Sequence, residues 1–165
     1  DRGTGRIELE HVLAQKTGYI VCPITDRKYY KFLLTQRRRL KQRLMSVDGL
    51  TIAITPLETY NQLKRRLDGT VPTTGLLTIA FLLECKIREL HITGFNFFAG
   101  KYVPGYRDTI QTLSDVQNWI ANSIHDPQKE RLVFKQMYES AVDNNKRVVL
   151  DSDLTDIIDE IQRTA

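Results

Sequence analysis

Short apolar runs alternate along this chain with longer stretches of helical periodicity. Gly18-Tyr-Ile-Val-Cys22, stopped by Pro23, predicts a short buried strand, and Thr51-Ile-Ala-Ile54 predicts a second. Between them Asp26 is placed to N-cap a helix from Arg27 to about Leu44, with Leu33, Leu40 and Leu44 at helical spacing. Pro56 suits a first helical position, and Leu57, Tyr60, Leu63 and Leu67 form an apolar stripe that Asp68-Gly69 ends. Pro72-Thr-Thr-Gly75 leads into Leu76 to Cys85, a helix apolar on most sides and therefore expected to be buried. Glu89 to Thr93 is a third strand, closed by Gly94. A loop with Gly100, Pro104 and Gly105 follows, then an irregular or helical stretch from Thr109 to Ser123. Asp126-Pro127 opens a helix to about Asn144, Arg147 to Leu150 is a fourth strand, and Ser152 or Asp153 caps a final amphipathic helix.

Strands separated by helices favour parallel pairing, because a parallel connection must cross from one end of the sheet to the other. The expected fold is therefore α/β, a Rossmann-like parallel sheet with helices on both faces. The 165 residues fit a single domain, and the 41% hydrophobic and 27% charged residues are ordinary for a globular chain. No apolar run reaches the roughly 20 residues of a membrane-spanning helix. Cys22 and Cys85 both lie in apolar stretches and read as small hydrophobic residues rather than a disulfide or a metal site. No metal is expected.

The net charge of +4 is unevenly placed: the segment from Arg27 to Arg43 is basic, while Asp151 to Glu160 is acidic. The basic segment reads most simply as the solvated face of its helix. Its sharper alternative is contact with an anionic membrane surface through residues 27–43. Nothing recognisable as a nucleic-acid motif accompanies it, so nucleic acid is not an expected partner.

Three clusters carry candidate chemistry. Thr73, Thr74 and Gly75 stand at the start of a buried helix, where unpaired N–H groups and a partial positive charge attract phosphate or carboxylate. The same threonines would equally serve as an ordinary cap. Gly94-Phe-Asn-Phe-Phe98 stands at the carboxyl end of a strand, where a glycine lets a nucleotide approach the backbone or simply ends the strand. In the third cluster, Asp126 as N-cap and Pro127 as first helical residue put His125 one position outside the helix and Glu130 in its first turn. Those positions are neighbours, so Glu130 is expected to orient the His125 ring and make it a general base. A lone surface histidine is the plainer alternative.

In their order these clusters resemble the sialyltransferases, both the animal-type family and the bacterial one. Pro72 to Gly75 and Gly94-Phe95 match the start and end of the animal-type small sialylmotif, and His125 with Glu130 match the very short motif His-x4-Glu. Tyr102 matches the tyrosine of the short third motif. The resemblance implies inverting transfer of sialic acid from its cytidine monophosphate (CMP) donor to a glycan acceptor hydroxyl, without a metal or other cofactor. It gives His125 the role of base and Glu130 that of orienting it. Thr73, Thr74 and Gly75 would hold the donor's carboxylate or phosphate, Gly94, Phe95 and Asn96 would line the cytidine pocket, and Tyr102 would bond the leaving phosphate. Asn96 and Phe98 stand where bacterial members often have Asp and Tyr, and Tyr106 is the phenol that would substitute.

The family's first strand and glycine-rich donor loop lie upstream of anything in the sequence. The chain is therefore expected to be the carboxyl-terminal part of such an enzyme, with 72–130 as its donor and catalytic segment. The missing part would come from upstream in the same enzyme or from a partner chain. The rival expectations are a homologue that kept the fold as a structural or interaction protein, and a transferase of another CMP-linked acidic sugar.

Overall fold

The computed structural model describes residues 19–23, 34, 35, 38, 42, 51–100, 110 and 112–164. Within them lie strands β1 (Tyr19–Cys22), β2 (Thr51–Ile54), β3 (Glu89–Ile92) and β4 (Arg147–Leu150). The helices are α1 (Leu57–Arg66), α2 (Thr74–Glu84), α3 (Leu113–Ala121), α4 (Pro127–Asp143) and α5 (Ser152–Thr164). All four predicted strands are present, and the chain is a mixed α/β protein. Of the helix predicted from Arg27 to about Leu44, residues 34, 35, 38 and 42 are described and helical; the remainder lies outside the described residues.

Among the described residues the strands pair in parallel as two separate couples rather than as one continuous sheet. β1 pairs with β2, setting Tyr19 opposite Thr51 and Cys22 opposite Ile54, and β3 pairs with β4, setting Glu89 opposite Arg147 and Ile92 opposite Leu150. Apolar runs mark strands but not which neighbour each takes, so the α/β class expected from the sequence is present while a single Rossmann-like sheet is not shown among the described residues.

One core joins the β3–β4 pair to α1, α2, α4 and α5. Tyr60 and Leu63 from α1, with Leu67 just beyond it, meet Leu76, Leu77 and Ala80 from α2, Val133, Phe134 and Met137 from α4, and Leu154 and Ile158 from α5. Leu76, Leu77, Phe134 and Leu154 are fully buried, and each such side chain stabilises the fold by about 1.5–3 kcal/mol. The α1 stripe is the one read from sequence, and its end is sharp because Asp68 and Gly69 both take positive φ. Helix α2 has no basic residue in its last turn. Instead Lys146, from the turn before β4, donates to the carbonyls of Leu83 (2.6 Å) and Cys85 (2.7 Å). The carbonyl end of α2 is thereby capped by a cation from a distant segment.

The last helix starts one residue earlier than Ser152 or Asp153 would allow as cap. Asp151 is the residue that caps it: Oδ1 accepts from the Leu154 N–H at 3.1 Å, while Oδ2 accepts from the Gly94 N–H at 2.7 Å. A single carboxylate thus joins the end of β3 to the beginning of α5. Cys22 and Cys85 are half-buried and neither is in a disulfide.

Candidate functional site

The residues before α2 and the residues before and within α4 are held together by three hydrogen bonds. Thr73 is the N-cap of α2, its hydroxyl accepting from the Leu76 N–H at 3.3 Å. That hydroxyl also donates to Oε2 of Glu130 at 2.6 Å, and the Thr73 N–H donates to Oε1 at 2.7 Å. Two residues earlier, the Val71 carbonyl lies 2.9 Å from Nδ1 of His125. A carbonyl can only accept, so Nδ1 carries the hydrogen and Nε2 of the neutral ring is left with its lone pair.

Local sequence explains why His125 is so placed. Helix α3 opens on a reciprocal capping box in which Thr112 and Asp115 bond each other's backbone N–H. It closes at Asn122, and Ser123 then accepts the His125 N–H at 3.1 Å. Asp126 follows as the N-cap of α4, its Oδ1 accepting from the N–H groups of Gln128 and Lys129, both at 3.1 Å. With Pro127 in the first turn, the chain has little freedom between the two helices. The backbone of His125 is fixed by Ser123 and its ring by Val71.

Glu130 therefore does not orient His125, as the His-x4-Glu resemblance implied; it bonds Thr73 and leaves the ring to Val71. It has no exposed surface. Burial pushes its carboxyl up from 4.5 to about 7, against the pull of the two Thr73 hydrogen bonds, with nearby Asp126 adding to the rise.

His125 opens onto a cleft of about 420 Å³ that Phe97, Phe98, Gln117, Ile120, Asp126, Pro127, Gln128 and Arg131 also line. Phe97 turns into the core and meets Phe134 at 5.4 Å, while Phe98 meets Trp119 at 5.4 Å, whose ring lies 6.3 Å from that of His125. Both phenylalanines have positive φ, 50° and 62°, a conformation that costs a bulky L-residue about 1 kcal/mol or more each. Opposite packing of the two rings is what holds the backbone there.

The other residues named from sequence are arranged differently. The hydroxyl and N–H of Thr73 are taken by Glu130. Thr74 is exposed, and among the described residues nothing accepts from the backbone N–H of Thr74 or Gly75. The ring of Phe95 covers Gly75 so closely that a Cβ there would lie 2.5 Å from Phe95 Cε2. Gly94 has a φ of +69° with open space where a Cβ would stand, and its N–H is spent on Asp151. The Asn96 amide lies over Gly100, away from the cleft lining. Tyr102 and Tyr106 lie outside the described residues. Among the described residues no three His, Cys, Asp or Glu side chains are grouped to hold a metal ion.

Comparison with protein-family models, curated proteins and solved structures finds no match to this chain.

Two contributors were not visible in the sequence. Val71 acts through its carbonyl, and a backbone contact leaves no trace in residue identity. Arg131 reads as one more charge on a helix surface, although its spacing of four from Pro127 places both on one face.

Proposed function

We propose that this chain is the catalytic portion of a glycosyltransferase of the sialyltransferase type. In this reading Nε2 of His125 removes the proton of an acceptor hydroxyl as that oxygen bonds the anomeric carbon of CMP-activated sialic acid. The bond from that carbon to the phosphate breaks, the configuration inverts, and CMP departs. The observation that carries the reading is the hydrogen bond from Nδ1 of His125 to the Val71 carbonyl. It fixes the tautomer a general base needs and joins the two segments whose motifs resemble the family. Further support comes from the backbone N–H groups of Thr74 and Gly75 at the start of α2, from which nothing among the described residues accepts and which suit a donor carboxylate or phosphate. The two parallel strand couples and their helices are compatible with a Rossmann-like sheet completed by a donor-loop segment from elsewhere in the enzyme. A membrane-surface contact through residues 27–43 belongs to the same proposal.

A second reading has one observation in its favour. The Thr73 hydroxyl and the open face of Gly75, both offered to the donor by sequence, are occupied internally by Glu130 and Phe95. A homologue serving as an interaction protein would have that property. Incubating the complete enzyme with CMP-sialic acid, other CMP-linked acidic sugars and a panel of glycan acceptors separates the readings. Release of CMP that depends on acceptor and on His125 supports the transferase. No release with any donor, together with no calorimetric binding of CMP, supports the interaction protein.

A further inference from the structure

The three cations of α4 are treated unequally. Lys129 pairs with Asp68 at 3.1 Å and Lys135 with Glu139 at 3.6 Å. Arg131, between them, has no hydrogen bond or ion pair among the described residues, and its Nε is buried with nothing accepting from it. Two carboxylates are near in sequence and neither bonds it, although Asp126 lines the same cleft. Glu130 is turned into the core toward Thr73, and Oδ1 of Asp126 takes two backbone N–H groups of its own helix. A buried donor without a partner is rare in a folded protein and signals a group still to be supplied.

Arg131 lines the same cleft as His125. We infer that Arg131 makes this cleft a receptor for an oxyanion, a carboxylate or a phosphate, held beside Nε2 of His125. The guanidinium is a planar fork that stays charged at any physiological pH and matches two oxygens at once. With a small rotation of the side chain, an oxyanion taking Nε–H together with one terminal N–H satisfies the buried donor and neutralises the charge. Phe97, Phe98, Ile120 and Pro127 give the cleft apolar walls, which strengthen such a pair relative to open solvent. Gln117 and Gln128 add amides that can bond the remaining oxygens.

The inference rests on the proposed function in placing a substrate beside His125, but its test requires no transfer. The oxyanion has two possible sources, the activated donor or an acceptor that itself carries an acidic sugar. Nitrogen-edited NMR of the Arg131 Nε–H, assigned with Arg131→Lys, follows titrations of CMP, N-acetylneuraminate, cytidine, lactose and sialyl-lactose. At least one anionic probe is expected to move that signal saturably, while cytidine and lactose leave it in place. CMP or N-acetylneuraminate acting assigns the anion to the donor; sialyl-lactose alone acting assigns it to the acceptor. Arg131→Gln is expected to weaken that probe roughly tenfold or more, and Arg131→Lys by less. An Arg131 signal that no anion moves overturns the inference, as does unchanged affinity in a folded Arg131→Gln variant. Should neither variant fold, the wild-type signal, assigned through its own side-chain and backbone correlations, decides alone. Anion binding through Arg131 without transfer would overturn the proposed function and keep this inference; transfer without it would do the reverse.

Discussion

The Val71 carbonyl and the His125 imidazole, 54 residues apart in sequence, meet at 2.9 Å. Truncating His125 removes an imidazole whose Nδ1 is held by a carbonyl and whose Nε2 keeps its lone pair. On the proposed function, His125→Ala in the complete protein is expected to slow transfer by about 10²–10⁴-fold. The fold should survive, because the ring lies outside the helix ladder and its loss frees one carbonyl at a half-exposed position. Turnover with saturating donor and acceptor, set beside a thermal melt, checks both halves of this expectation.

Glu130 makes stability depend on pH with a definite sign. Its folded value near 7 exceeds the ordinary 4.5, so between those values the folded state holds the proton more often than the unfolded state. The contribution is fully present below about pH 4.5 and is lost as pH rises through about 7, amounting to on the order of 3 kcal/mol. Glu130→Gln cannot titrate, yet its amide oxygen still accepts from the Thr73 N–H and its amide nitrogen can donate to the hydroxyl. Melting curves from pH 4.5 to 7 should therefore fall for wild type relative to Glu130→Gln. Parallel curves would mean that the buried carboxyl keeps an ordinary affinity for its proton. Glu130→Ala leaves the Thr73 N–H and the hydroxyl hydrogen buried without acceptors and is expected to cost about 2–4 kcal/mol below pH 4.5, and less as pH rises through about 7 and wild type loses its proton-linked stability.

Gly75 and Phe95 should behave as a pair. A methyl group at 75 runs into a ring that is itself packed 4.5 Å from Phe97, so Gly75→Ala is expected to cost about 1–3 kcal/mol. Placed on a Phe95→Leu background, the same change should cost much less. Denaturant unfolding of the two single variants and the double variant measures the difference. Additive costs would show that the ring yields without resistance.

Much of this molecule was legible from its residues, and the failures have a common cause. The four strands announced themselves as apolar runs stopped by proline, glycine or aspartate, and the α1 stripe matched its buried face. Asp126-Pro127 gave the start of α4 to the residue, because cap and first position each need a particular chemistry. The segment left open as irregular or helical contained a readable signal, Thr112-x-x-Asp115, the pattern of the box that starts α3. What the residues did not disclose was long-range partnership. Glu130 sits at the right spacing to reach His125, yet the packing of α2 against α4 sets its carboxyl group on the hydroxyl and N–H of Thr73 instead. Which strand lies beside which, and which carbonyl meets a ring nitrogen, are decided by packing between distant segments.

Gly94 itself tests how firmly the 94–98 turn is set. At a φ of +69° with nothing to clash against, Gly94→Ala should cost about 1 kcal/mol, all of it from the backbone. A melting temperature unchanged within error would mean that this turn relaxes to another conformation at no cost.

Asp151 has a reach that its position in the chain conceals. One of its oxygens belongs to the last helix and the other to the glycine that precedes the two phenylalanines of the cleft. Damage to α5 is therefore transmitted: a lesion that unwinds its first turn also releases the Gly94 N–H, three residues before Phe97 is asked to hold a disfavoured φ. Variants scattered along the carboxyl-terminal helix, none of them near the cleft, would then produce the same symptom as variants in its wall. A survey that ranked substitutions only by distance from His125 would misfile them as unrelated.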